Sequence, residues 1–488
     1  MIDTQSIRTK ILDLAMRGQL TEQLPEDGTA EELYQQIQEE KQTLIKAGKI
    51  KKEKPLPEIS EGEKPFEIPK SWKWVYLGEL FQHNTGKALN ASDRQGELLE
   101  YITTSNLYWD RFELDDLKQM PFTENEIEKC TVKKGDLLVC EGGDIGRSAI
   151  WPFDYDMRIQ NHIHRLRRYS SGIYTDFYYY LLWLYKQTGR INGIGIGLQG
   201  FSSKRVHSLI VPLAPYEESV RVVEIIKQAF STLVTIDELQ TQYADNVSVL
   251  KSKLIDAAIQ GKLTEQLPED GTAEELYQQI RAEKQALIKI GKIKKEKPLP
   301  EIEMNEIPFE IPANWKWCRV EDILLSIGSG KSIRCNETAP DDNTPGIIKV
   351  SAVTWGSFQE NESKTCLSDS DWNEDYSIHS GDFLISRANT RKLVGACVIV
   401  DKIRKKLMLS DKILRITFSE NIDSQFMLKV MRSSILRNQI EAVATGTSDS
   451  MNNISQKEIR GFLIPLPPIA EQKRIVARLD QVLAMIEV

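Results

Sequence analysis

The chain has 488 residues, 41% of them apolar, and 63 Lys and Arg against 71 Asp and Glu give a formal net charge of −8. This length and apolar content suit several domains with ordinary cores and exclude a disordered or fibrous chain. No stretch approaches the ~20 apolar residues of a membrane helix, the first residues carry no leader pattern, and the six cysteines form no CxxC, so a cytoplasmic protein without a disulfide framework or zinc knuckle is expected.

Residues 10–59 recur at 253–302, offset by 243 positions without a gap, and 40 of the 50 paired residues are identical. Within the copy, 20–37 (LTEQLPEDGTAEELYQQI) and 48–59 (GKIKKEKPLPEI) are unchanged, whereas the segments after each copy agree only in outline. Both copies end in a basic, proline-bearing string and resume at a matched FEIP and WKW, with Trp72 and Trp74 against Trp315 and Trp317. Further on, KKGDLLV (133–139) and HSGDFLI (379–385) each predict a Gly-Asp turn feeding a buried strand. Each domain closes on a polar SxK segment and a strand, LIVPLAP (209–215) or LIPLPP (463–468), that hands over to a helix.

After Pro215 apolar residues at Val223, Ile226, Phe230, Leu233, Leu239, Tyr243, Val247, Leu250, Leu254 and Ala257 keep spacings of three and four, which predicts a coiled-coil seam. Unbroken from 217 to 260, at ~1.5 Å per residue, that helix is roughly 65 Å long. Pro268, Asp270 and Gly271 break it, and Thr272 with Glu275 forms a capping box for a second helix ending near Gly291. Residues 471–488 resemble 218–235, and 2–9 sit where 245–252 sit before the second copy, which suggests a circular two-fold arrangement. The expected fold class is α+β: two mixed α/β domains separated by long antiparallel helices. The division is 1–59 (helical repeat), 60–215 (first domain), 216–302 (helical spacer), 303–467 (second domain) and 468–488 (closing helix).

Charge is distributed unevenly. Residues 93–128 hold ten acids and three bases and 158–205 eight bases and one acid; in the second domain 337–375 hold nine acids and two bases and 387–437 twelve bases and four acids. Two basic faces able to neutralise phosphates are the sharper reading of this pattern, and charge-mixed solvated surfaces the plainer one. The GSGKS at 328–332 lacks the glycine that a P-loop needs at Leu325, and its counterpart Gly86-Lys87-Ala88 lacks the hydroxyl, so a turn touching a phosphate is preferred to a nucleotide site. The GxGxxG at 195–200 lacks a preceding strand and reads as a polar loop. His162 and His164 have no completing ligand and read as core or surface histidines. With no methyltransferase motif, complete Walker box or shared nuclease cluster, no catalysis is expected.

The order of these motifs, in duplicate, resembles the specificity subunit of type I restriction-modification systems over essentially the whole chain. That resemblance implies two target-recognition domains reading the halves of a split double-stranded DNA site, and helices that dock two methyltransferase subunits and set the gap. It also implies a restriction-translocase subunit joining the complex, with no cofactor in this chain, S-adenosylmethionine in the methyltransferase, and ATP and magnesium in the translocase. DNA contacts are then expected from Lys87, Arg147, Arg158, Asn161, Gln199, Ser202, Ser203, Lys204 and Arg205 in the first domain. In the second they are expected from Lys331, Arg334, Arg387, Asn389, Arg391, Lys392, Asn452, Asn453 and Lys457. The competing expectation is a helical scaffold that joins two identical proteins without touching DNA.

Overall fold

The computed structural model describes residues 1–89, 95–191, 201–448 and 451–486, and the chain divides into two units, Met1–Thr241 and Gln242–Val488. In the first unit, helix Thr4–Met16 starts on Asp3, whose carboxylate accepts from the Ser6 amide. Helix Ala30–Lys46 opens on a capping box in which Thr29 and Glu32 satisfy each other's backbone amides. Residues 51–59 run on without regular structure. Strand Lys73–Tyr76 then pairs antiparallel with Ile210–Leu213, so the matched entry and exit of the domain lie side by side.

Between them stand two four-stranded sheets. One has the order Phe81–Thr85, Ile163–Arg168, Leu137–Cys140, Ser148–Ile150, and the other Lys118–Phe122, Glu97–Ile102, Met157–Ile159, Thr131–Val132. Helix Thr175–Gln187 packs on the first, and its Tyr-rich run is core: Phe177, Tyr178, Leu181 and Tyr185 are buried.

The second unit repeats the plan. Lys316–Arg319 pairs with Leu463–Leu466, and Leu324–Ser329, Ile413–Phe418, Phe383–Ser386, Cys397–Ile399 form the matching sheet. The Gly-Asp turns behave as expected: Gly135 and Gly381 take φ of 88° and 92°, and the strands they feed are buried throughout. The aspartates also carry a structural task. Asp136 accepts from Arg167 at 2.6 Å and Asp382 from Arg415 at 3.1 Å, while Arg165 and Arg415, at equivalent register, each donate to a carbonyl, of Thr131 and Ser377, at 2.6 Å. In the second unit Thr445–Ser448 and Met451–Asn453 also join Ala388–Asn389 in a three-stranded sheet.

The helix predicted from 217 to 260 is a single helix, Tyr216–Ile259, of 44 residues. Its seam is buried only near its ends, at Val222, Val223, Ile226 and Leu233 and again at Ala258 and Ile259, whereas Leu239 and Tyr243 are each 58% exposed. After it come the break at Pro268–Asp270 and helix Ala273–Lys289, opened by the Thr272–Glu275 capping box.

The copied residues are built into the body of each unit. Glu218, fully buried, accepts from Trp72 Nε1 at 2.8 Å, Gln23 Nε2 at 2.8 Å and Thr21 Oγ1 at 3.0 Å. Arg221 forks onto Asp27 at 2.8 and 2.6 Å. In the second unit Glu471 takes Trp315, Gln266 and Thr264 at 2.8, 3.0 and 3.2 Å, and Arg474 forks onto Asp270. The closing helix Ile469–Ile486 therefore does for the second copy what the start of the long helix does for the first. That equivalence gives the sequence likeness of 471–488 to 218–235 a structural basis.

Candidate nucleic-acid interface

Strand direction decides where the predicted contact residues go. In the first unit Thr85 is opposite His164, and Cys140 opposite Ile163, so the end of one strand, the end of another and the start of a third meet at one edge of the sheet. Backbone hydrogen bonds tie the loops leaving that edge. Lys87 N–H donates to Ile159 O at 3.1 Å, Asn161 N–H to Lys87 O at 2.9 Å, Glu141 N–H to His162 O at 2.8 Å, and Phe201 N–H to Glu141 O at 2.8 Å. The edge thus collects 86–89, 141–147, 160–162 and 201–205. In the second unit Gly330 N–H donates to Ser410 O, Arg387 N–H to Lys412 O and Ile454 N–H to Arg387 O, at 3.2, 2.9 and 2.9 Å. Phe201 and Ile454 dock on equivalent carbonyls, those just past Cys140 and Ser386.

The GK dipeptides are explained by the same crossing. A Cβ at Gly86 would lie 1.9 Å from Ile159 O and one at Gly330 1.7 Å from Leu409 O, so only glycine lets the chain pass from one sheet to the other. The lysines that follow diverge. Lys87 is 9% exposed and pairs with Glu126 at 2.9 Å, while Lys331 is exposed, with its ammonium 5.7 Å from the Tyr376 ring centre.

Arg147 lies over the Tyr108 ring at 4.7 Å and donates to Thr104 O at the foot of its loop, and Arg158 is half-buried and donates to Asp156 O. Asn161 sits half-buried in the turn, and Ser202, Ser203 and Lys204 are exposed at the start of helix Ser203–His207, with Arg205 over the Phe201 ring at 5.5 Å. Gln199 lies outside the described residues. In the second unit the short sheet brings Asn389 opposite Asn452 and Ala388 opposite Asn453, beside half-buried Arg387 and exposed Arg391 and Lys392. Arg334 is exposed beyond the crossing, and Lys457 is exposed in the first turn of helix Gln456–Gly461.

Much of the predicted basic surface is committed elsewhere. Arg165 is 2% exposed, and burial lowers its pKa to about 10; Arg167, Arg415, Arg432 and Arg437 bond carboxylates or carbonyls of their own unit. Sequence reading missed His83, whose Nε2 lies 2.9 Å from His164 Nδ1, while His164 Nε2 bonds Phe201 O at 2.6 Å. Desolvation lowers the pKa of His83 to about 3 and of His164 to about 4, so both rings are neutral and the pair anchors the 201–205 loop. The two are 81 positions apart, and only the strand register reveals the partnership.

The profile of the type I restriction modification DNA specificity domain matches residues 69–242 and again 312–488. The chain belongs to this family. Among specificity subunits of type I restriction enzymes of Escherichia coli, EcoEI is 31% identical over 98% of this chain and 88% of its own length. EcoAI is 27% identical over 98% and 89%. A chain solved in a study of complex assembly and conformational transition of the type I R-M system shares the fold, with a TM-score of 0.54, 17% identity, and coverage of 87% of this chain and 93% of that one. As a type I specificity subunit the protein works in DNA recognition and not in catalysis. Among the described residues no helix is long and apolar enough to cross a membrane.

Proposed function

We propose that this specificity subunit reads an asymmetric, split DNA site, one half with each unit, through the loops gathered at the sheet edges. One observation carries the reading: the two units place loops at the same strand ends and share two equivalent backbone hydrogen bonds there, Glu141 N–H to His162 O and Phe201 N–H to Glu141 O matching Arg387 N–H to Lys412 O and Ile454 N–H to Arg387 O, yet fill those loops with different side chains. Equal scaffolds with unequal fork and amide side chains are what two different half-sites require. Seventeen of the eighteen residues named above are the proposed contacts, Lys87 being set aside because it is buried against Glu126, with Lys331, Arg334, Arg391, Lys392 and Lys457 the exposed cations of the second reader and Lys204 that of the first.

The copied helices dock two methyltransferase subunits, because identical partners ask for identical surfaces, and the 44-residue helix sets the gap between half-sites. The divisions 1–59, 60–215, 216–302, 303–467 and 468–488 describe these roles. Methylation draws S-adenosylmethionine in the methyltransferase, and a restriction-translocase partner supplies the ATP and magnesium chemistry, all in the cytoplasm. The test is sequencing of modified adenines in DNA from cells with and without the gene. A methylated bipartite motif present only with the gene is expected; none, with an active methyltransferase beside it, overturns the reading and leaves the DNA-free scaffold.

A further inference from the structure

The string 48–59 is copied without change at 291–302, and its lysines, Lys49, Lys51, Lys52 and Lys54 in one copy and Lys292, Lys294, Lys295 and Lys297 in the other, are all exposed. None of the eight side chains has a hydrogen bond or ion pair among the described residues. The acids between them are held. Glu53 accepts from Lys41 at 3.1 Å, with His207 Nδ1 3.9 Å away, and Glu296 pairs with Arg460 at 3.4 Å. His207 ends helix Ser203–His207 and Arg460 lies in the last turn of Gln456–Gly461. Each string therefore passes beside the far end of the short helix whose first turn carries Lys204 or Lys457, tied to it by the Glu296–Arg460 ion pair in the second unit and, in the first, held by Lys41 of helix Ala30–Lys46 with His207 alongside. That helix spans only ~8 Å at ~1.5 Å per residue, so Glu53 and Glu296, which the lysines flank in sequence, lie about one Debye length at 0.1 M salt from the first turn of the helix.

We infer that the duplicated strings are sequence-independent clamps for the DNA sugar-phosphate backbone, one beside each reading edge. This rests on the DNA-reading function proposed above. Phosphates are chemically the same at both half-sites, so their reader can be copied unchanged while base readers diverge. A protein partner is the poorer occupant, since lysine is depleted in protein interfaces and costs side-chain entropy there. Pro55 and Pro57, with Pro298 and Pro300, hold the string extended before DNA arrives, which limits the ordering cost of a row of phosphate contacts.

The test uses the full chain with its methyltransferase partner, a duplex carrying the methylated motif, and a duplex of equal length without it. Binding is measured from 50 to 300 mM KCl for the wild type, for Lys51→Gln/Lys52→Gln/Lys54→Gln and for Lys294→Gln/Lys295→Gln/Lys297→Gln. Each triple variant is expected to weaken both duplexes by the same factor and to flatten the slope of log K against log salt by ~0.9 for every lysine that meets a phosphate. The corresponding Lys→Arg triples retain the wild-type slope, and the methylated motif and methyltransferase content stay unchanged. A slope equal to wild type, or a loss of methyltransferase from the purified complex, overturns the clamp while a found motif keeps the reader. A wild type that binds neither duplex overturns both.

Discussion

Replacing Glu218 with alanine removes the acceptor for three donors at once. Trp72 Nε1 is buried and has no other partner among the described residues, so its stranded N–H costs ~1–3 kcal/mol; the amide of Gln23 and the hydroxyl of Thr21 are only part-buried and recover some of their loss with water. The sum, near ~3 kcal/mol, falls on the clasp between the copied loop and the long helix, which corresponds to roughly a hundred-fold faster opening. Hydrogen exchange followed by peptide mass analysis reads this directly: amides of 20–30 lose about two decades of protection and the copy at 263–273 loses none. Glu471→Ala, which strands Trp315 Nε1, reverses the pattern. A double-mutant cycle of Glu218→Ala with Trp72→Phe should show ~1–3 kcal/mol of coupling. Equal loss in both copies, less than threefold loss in the near one, or additivity within ~0.5 kcal/mol would refute the clasp.

Gly86→Ala and Gly330→Ala each drive a Cβ into a backbone carbonyl and should cost ~2–3 kcal/mol or more in urea unfolding, whereas Gly62→Ala, with nothing within 4 Å, changes little. Stability should also respond to acid through the His83–His164 pair. Both rings stay neutral in the fold with pKa values of about 3 and about 4, below ~6.5 for free histidine. The unfolded chain then binds more protons between those values, so the contribution is complete above pH ~6.5 and is lost as pH falls toward ~4. The double variant His83→Ile/His164→Leu, which installs the residues of the second unit at Ile327 and Leu414, should flatten the decline of unfolding free energy from urea titrations by ~2 kcal/mol per pH unit between pH 6 and 4.5; an unchanged acid slope contradicts the assignment. Arg391→Ala should weaken or relax only the half-site read by the second unit, and unchanged methylation there removes it from the interface. Lys87→Ala, which removes a buried lysine from its pair with half-buried Glu126, should lower thermal stability, while Lys331→Ala should leave it within ~0.5 kcal/mol and act on DNA binding instead.

Local signals carried much of the architecture. The Gly-Asp turns, the Thr272 capping box and the long amphipathic helix depend on neighbours a few residues away, and each stands where the spacing placed it. The middle of the long helix did not follow: apolar spacing marks a face able to bury, and Leu239 and Tyr243 stay mostly exposed among the described residues. Basic runs misled for a related reason. A composition count treats every arginine as solvent-facing, yet Arg165, Arg415 and Arg437 are spent on carbonyls that lie 34 to 43 residues away.

By itself the sequence determined the family, the duplication, and the contrast between copied and divergent segments, because these are properties of residue order. Tertiary structure decided which member of each aligned pair is available. Lys87 and Lys331 follow the same glycine at the same crossing, but an acid from helix Glu124–Cys130 closes over the first, whereas the second is exposed with its ammonium near a tyrosine ring. Glu218, an acid in the first turn of the long helix, is the buried hub of three donors drawn from up to 197 positions away. Burial and pairing are set by what the fold brings alongside a residue, and that information is not local to the chain.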